Sequence, residues 1–210
     1  MLKRIVNPGM QVIDIGANIG YYTILFAKLV GKHGKVYAFE PDSLNFRYLE
    51  KNTKKYKNVV LNNLAVGEKR GELLLFHSHL LNVDHQTYDS GENRIATKVK
   101  CIAIDDYSID AKKVDVIKVD IQGYEYFAIK GMTKMLENSA NVTIIAEFWP
   151  YGLKKAGLEP NCFLELLENM GFEIKFEGGL KKEELFKKVD DYLFYIDVFA
   201  TKKSSKAYTT

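Results

Sequence analysis

The stretch VIDIGANIGYYT, residues 12–23, constrains this chain more than any other. A short β-branched and apolar run, 12–15, carries Asp14 within it. Gly16, Asn18 and Gly20 then arrive at alternate positions, and an apolar helix pattern follows at once. A bounded run of this kind reads as a buried strand, and glycines at its end let the backbone approach a ligand and the next helix pack closely. Strand, bare corner and helix in succession describe the first unit of a parallel sheet whose ligand lies beyond the strand ends.

The alternation continues. Strands are expected at 35–40, 58–67, 114–120 and 141–148, and helices at 21–30, 44–56, 123–137 and 161–170. Two further strands, 71–76 and 96–104, flank a polar stretch, 77–94, whose length marks it as functional or disordered. The chain ends with a strand at 172–178, a helical turn or two at 182–189 and a last strand at 192–201. Strands alternating with helices require a mostly parallel sheet covered on both faces. The expected fold class is therefore α/β and doubly wound, with a mostly parallel seven-stranded sheet and an antiparallel edge. A chain of 210 residues with no break in composition predicts one domain, 1–201, and a flexible tail, 202–210.

Charge narrows the partners. A net charge of +3 lacks the basic surplus of a dedicated nucleic-acid binder, so nucleic acid is not the expected partner. Cys101 and Cys162 match no metal or redox spacing and read as core residues. No apolar stretch is long enough to span a bilayer, and no secretory signal precedes the first strand, so a cytoplasmic location is expected.

The corner also discriminates between ligands. A triphosphate loop needs Lys and Ser/Thr after its glycines, whereas Tyr21 and Tyr22 follow Gly20. A dinucleotide loop needs glycine where Asn18 stands, and Asp14 would repel a pyrophosphate. A carboxylate there suits an ammonium group, which S-adenosylmethionine carries beside a sulfonium and without phosphate. Glu40, ending the second strand, stands where an acidic residue reaches ribose hydroxyls. Glu40, Pro41 and Asp42 equally suit a helix N-terminus.

At these residues the chain resembles the class I, Rossmann-like S-adenosylmethionine-dependent methyltransferases, and more narrowly the FkbM family of O-methyltransferases. The narrower resemblance rests on VIDIGANIGYYT, VYAFEPD, NLAVGEKRGELLLF, IAIDDY, VDVIKVDIQGYEYFAIKGM and IIAEFWP. It implies that Asp14, Gly16, Ala17, Asn18 and Gly20 hold the methionine end and Glu40 the ribose. Pro41, Leu64 and Ala65 would flank the adenine, with Asp120 beside the methyl group. Two departures stand out. Gln122 replaces a glutamate usual in the family, which weakens a role for that side chain as a base. The segment before the first strand is short, which suggests an open acceptor site, a homo-oligomer, or the catalytic part of a larger protein.

Methyl transfer to a hydroxyl needs alignment and removal of a proton, by a base or a metal. Asp120 and Glu147 end neighbouring strands; either could act as the base, or the two together could hold Mg²⁺. His77 is a further candidate base, and His77, His79 and His85 could alternatively hold a metal. Trp149 and Tyr151 could stack on a sugar ring or serve the core. The expected activity is methyl transfer to a hydroxyl of a sugar, glycan or related small metabolite. The alternatives are an RNA methyltransferase, acting on ribose or base, and a non-catalytic nucleoside-binding module.

Overall fold

Strand order reverses beside the first strand, and this places the site. The computed structural model describes residues 2–78, 85–89, 91, 93–108 and 114–202. Seven strands form the main sheet: β1 (Gln11–Ile15), β2 (Lys35–Phe39), β3 (Val59–Asn62), β7 (Val116–Val119), β8 (Thr143–Phe148), β9 (Phe172–Phe176) and β10 (Ile196–Lys202). Their order is β3-β2-β1-β7-β8-β10-β9. The first five are parallel, and β10 runs antiparallel to both β8 and β9, forming the antiparallel edge. The chain winds outward from β1 to β3, then returns to β7 on the other side of β1. That switch point opens a crevice above the strand ends.

Alternation along each strand assigns the two faces. Val12, Val36, Val116 and Ile145 pack with Phe26, Ala27 and Val30 of α1 (Tyr21–Val30). Ile13, Ile15, Ile117, Val119, Ile144 and Ala146 face the larger core on the opposite side. That core includes Ala128 and Ile129 of α3 (Glu125–Lys130), Leu136 of α4 (Thr133–Asn138), and Phe163, Leu164 and Leu167 of α6 (Asn161–Asn169). The helix α2 (Ser43–Thr53) starts from Asp42, whose side chain accepts from the Leu44 and Asn45 N–H groups. Among the described residues no helix is long and apolar enough to cross a membrane.

Three departures from the sequence reading stand out. The strand expected over 58–67 is two strands in different sheets: β3 stops at Asn62, and β4 (Ala65–Val66) joins β6 (Ala96–Ile102) and β5 (Gly71–Phe76) in a small sheet of order β4-β6-β5. Asn63 turns the chain there by donating to the Glu40 and Pro41 carbonyls at 2.8 and 3.0 Å. Asparagine side chains readily compete with ladder bonds in this way. The helix expected over 123–137 is broken into α3 and α4. At the break a Cβ on Gly131 would lie 1.9 Å from the Gly67 carbonyl oxygen. Asp105, distant in sequence, caps α4 by accepting from the Lys134 and Met135 N–H groups. Helix α5 (Pro150–Lys155) was not anticipated, although proline at a first helical position signals one. The short helix α7 (Lys182–Leu185) falls within the expected turns. Of the expected tail, only Lys202 is described, and it belongs to β10; His79 lies outside the described residues.

Candidate active site

Register brings three chain exits and one residue of β8 to a single level. Ile15 pairs with Phe39 on one side and Val119 on the other, and Val119 pairs with Ala146. Gly16, Glu40 and Asp120 therefore leave the sheet along a single edge, and Glu147 stands at the same level within β8, which runs on to Phe148. Gly16 has φ 79°, and a Cβ there would lie 1.9 Å from the Asp120 carbonyl oxygen. The two turns touch through backbone, and only glycine permits it. Asn18 holds φ 50° and accepts the Ile19 N–H on its Oδ1 at 2.7 Å. Gly20 starts α1 and packs against Leu49 of α2.

Two cavities meet at this edge. The first, narrow at about 60 Å³, is lined on one side by Glu40, Pro41 and Asn45, and on the other by Leu64, Ala65 and Val66. The second, about 540 Å³ and open to solvent, runs past Ala17, Tyr21, Tyr22, Lys118 and Glu147 to Trp149 and Tyr192. Both include Gly16, Asn18, Asp120 and Gln122, so these residues mark the junction. Small-molecule pockets occupy about 300–1,000 Å³, and the second cavity falls within that range.

The first cavity is built around a fixed carboxylate. Glu40 is 5% exposed, and its two oxygens accept from the Asn18 and Asp42 N–H groups, each at 2.8 Å. Those bonds fix the carboxylate and leave acceptor capacity for hydroxyls. Burial pushes the Glu40 carboxyl up to about 7, against the pull of the two backbone bonds. Pro41, Leu64 and Ala65 supply flat apolar flanks.

The junction is a charged cluster built by strand alternation. Asp14 pairs with Lys118 across β1 and β7, so both project onto the face that α1 covers. Lys118 is buried; its ammonium lies 2.8 Å from Asp120 Oδ2 and 4.4 Å from the centre of the Tyr22 ring. Burial opposes its charge, but Asp120 and Asp14 together hold its pKa above the ordinary lysine value. The Gln122 amide donates to Asp120 Oδ1 at 3.3 Å and to Glu147 Oε2 at 3.0 Å, bridging the two strand-end carboxyls. Burial, then Asp120 and Glu125, push the Glu147 carboxyl up to about 9. Asp197 stands opposite Glu147 across the antiparallel pair.

Several sequence expectations change here. Asp14 was expected to meet a ligand ammonium directly; instead it is fully buried and lines neither cavity. It lies inside β1 rather than at its tip, under α1, where its Oδ2 accepts from the Thr23 hydroxyl at 2.6 Å. Burial raises its pKa, while Lys118 and then Thr23 pull it down. Asp14 thus supports the junction from behind, through Lys118. His77 also lines neither cavity. Its Nδ1 is 3.4 Å from Asp42 Oδ2 and its Nε2 is 2.7 Å from Thr97 Oγ1, in a different part of the edge from Asp120 and Glu147. Trp149 is buried, donating from its indole N–H to the Tyr192 carbonyl at 2.9 Å, and Tyr151 packs against both rings. The rings that stand exposed at the second cavity are Tyr21, Tyr192 and Tyr195, with Ile19 and Leu193 beside them.

The Asp120–Glu147 pair is poorly arranged for Mg²⁺. The Lys118 ammonium and the Gln122 amide already donate to oxygens that an ion would need, and Glu147 favours its protonated form.

Two residues of the site were missed in the sequence. Lys118 had a signal: a lysine in the middle of the apolar strand VIKV. Glu125, fully buried, accepts from the Ile121 and Gly123 N–H groups at 2.9 and 3.3 Å. It shapes the turn that holds Gln122 at φ 55°, and burial pushes its carboxyl up to about 7.

Comparison with known proteins follows the same outline. Residues 14–197 match the family described as Methyltransferase FkbM domain. A curated relative, hexuronic acid methyltransferase AglP of Haloferax volcanii, is 28% identical over 158 residues, covering 73% of this chain. The match spans 59% of that relative's length. Among solved structures, a SAM-dependent methyltransferase from Aquifex aeolicus is similar at 19% identity and TM-score 0.50, over 95% of this chain and 86% of that one. A Streptococcus mutans protein in complex with SAH is similar at 13% identity and TM-score 0.56, over 96% and 93%. At these identities the likeness is one of fold, and the fold is that of class I methyltransferases.

Proposed function

The chain belongs to the FkbM methyltransferase family, and from that premise we propose that it binds S-adenosylmethionine across both cavities and methylates a hydroxyl of a sugar, glycan or related small metabolite. One observation carries the reading: a narrow cavity walled by a fixed, buried carboxylate at Glu40 opens directly onto the strand-edge carboxyls Asp120 and Glu147.

In this reading Glu40 accepts the ribose hydroxyls, and Pro41, Leu64 and Ala65 flank the base. The backbone from Gly16 through Ala17 and Asn18 to Gly20 follows the amino-acid end into the second cavity. The bound donor supplies an electrophilic methyl on a cationic sulfur. The chain's own task is to hold that cation and an acceptor oxygen in line. Asp120 faces the positive charge, while Lys118 and Gln122 fix its orientation. Asp120 is the group we assign to receive the hydroxyl proton, and Glu147, protonated in the open cleft, hydrogen-bonds the acceptor. This assignment uses no Mg²⁺. A sugar acceptor is favoured by the exposed tyrosines at the second cavity, which suit the apolar face of a pyranose ring, and by the curated relative's hexuronic acid.

Calorimetry with S-adenosylmethionine, S-adenosylhomocysteine and NAD tests the donor. A transfer assay over uronic acids, neutral sugars, phenols and transfer RNA tests the acceptor. Binding of NAD in place of the sulfonium nucleoside would overturn the first part, and transfer to RNA alone the second.

A further inference from the structure

We infer that Asp42, His77 and His85 form a binding site for a divalent transition-metal ion of the Zn²⁺ class, beside the first cavity. Backbone geometry creates the pair of histidines. Phe76 and Gln86 exchange two backbone hydrogen bonds, 2.7 and 3.1 Å, in an antiparallel bridge. The adjacent opposed pair is then His77 and His85, and directly opposed side chains share a face with Cβ atoms about 4.5–5.5 Å apart. Their ring centroids are 5.0 Å apart.

The third ligand comes from the start of α2. Asp42 Oδ1 accepts from Leu44 and Asn45, which fixes the carboxylate, and its Oδ2 faces His77 Nδ1. One ligand atom from each of the three residues lies within 4.8 Å of the others. Tetrahedral Zn²⁺ with bonds of about 2.0–2.2 Å sets its ligands roughly 3.3–3.5 Å apart, so a contraction of about 1 Å closes the site. Thr97 Oγ1 lies 2.7 Å from His77 Nε2, where it can accept that ring N–H and orient a metal-bound imidazole. His85 Nδ1 accepts the Ser78 N–H at 3.1 Å, a bond that gives way when His85 binds the ion. Two imidazoles and one carboxylate favour Zn²⁺, Co²⁺ or Fe²⁺ over Mg²⁺ or Ca²⁺. His85 lines the first cavity, and Asp42 lies two residues beyond Glu40. An ion here ties the end of β5, the segment at 85–86 and the start of α2 into one wall.

The site shares no ligand with Asp120 or Glu147, so it is tested without assaying transfer. Chelator-treated full-length protein is titrated with Co²⁺ and then Zn²⁺, reading the cobalt ligand-field absorption, bound metal per chain after gel filtration, and the unfolding midpoint. The expected result is one ion per chain, a cobalt band that Zn²⁺ displaces, and a midpoint raised by metal. His85→Ala should remove the band and the metal-dependent shift while its metal-free midpoint stays near wild type. Thr97→Val should weaken binding by about 10- to 100-fold. Absence of a bound ion in the wild-type protein, leaving only the Asp42–His77 contact, would overturn the inference. Stoichiometric binding that persists unchanged in both His77→Ala and His85→Ala would do the same.

Discussion

Replacing Lys118 by methionine tests how the junction is held together. The stem keeps its length and its packing under Tyr22, and only the ammonium is lost. Removing one partner of a buried ion pair costs about 3–5 kcal/mol, because the other charge stays buried. Here the partners differ. The Asp120 side chain is 35% exposed, so water screens its share, whereas Asp14 is fully enclosed and its Oδ1 has no hydrogen-bond partner among the described residues. The lost contact with the Tyr22 face adds about 0.5–2 kcal/mol. Protonation of Asp14 in the variant limits the total, and about 2–4 kcal/mol at pH 8 is the expected loss. For a chain of this size each kcal/mol shifts the midpoint by about 2–4 °C, so a fall of roughly 5–15 °C follows. Its pH dependence identifies the cause. Lys118 has a raised pKa, so its contribution is complete at neutral pH and fades only in strong alkali. Without it, the folded-state pKa of Asp14, which Lys118 pulls down, rises further, and the penalty shrinks as pH falls and this carboxyl takes up a proton. Thermal unfolding of both proteins by circular dichroism from pH 5 to pH 8 reads the difference. A penalty below about 1 kcal/mol, or one independent of pH, would refute the charge argument.

Gly16→Ala should leave a folded chain that has lost S-adenosylhomocysteine binding in calorimetry, because the added Cβ displaces the Asp120 carbonyl and φ 79° is strained for any side chain. Glu40→Gln removes a charged acceptor, and a hydrogen bond of that kind is worth about 1.5–3 kcal/mol, so affinity should fall about 10- to 100-fold. In the wild type that affinity should increase from pH 6 to pH 8 as Glu40, with its carboxyl at about 7, ionises to accept the ribose hydroxyls. The Glu40→Gln variant should show no such rise. Asp120→Asn should lower kcat by 10²-fold or more while cofactor affinity changes less; unchanged turnover would remove Asp120 from proton transfer.

Much of this was legible in the chain. Local periodicity located β1, α1, β2 and β8 within a residue or two, because a strand buried on both faces and a well-covered helix each leave an unmistakable apolar pattern. Strand-end logic selected Gly16, Glu40 and Asp120, since β1, β2 and β7 finish in register, and it reached Glu147 at the same level although β8 runs on to Phe148. Failures occurred where a distant group intervened. Asp105 caps α4 from 29 residues away in sequence, and Asn63 redirects a strand by bonding to the Glu40 and Pro41 carbonyls. Neither partner is visible from local pattern.

The sequence by itself determined the doubly wound sheet, the glycine corner at Gly16 and the acidic tips of the strands, because these depend on spacing along the backbone. Only tertiary structure decided what each acid does. Asp14 and Asp120 are both aspartates on neighbouring strands, yet one is sealed under α1 against Thr23 and Lys118 while the other stands at the junction of two cavities. The difference is a matter of burial and of which charge lies within a few ångströms, and those are set by packing between segments, beyond the reach of order along the chain.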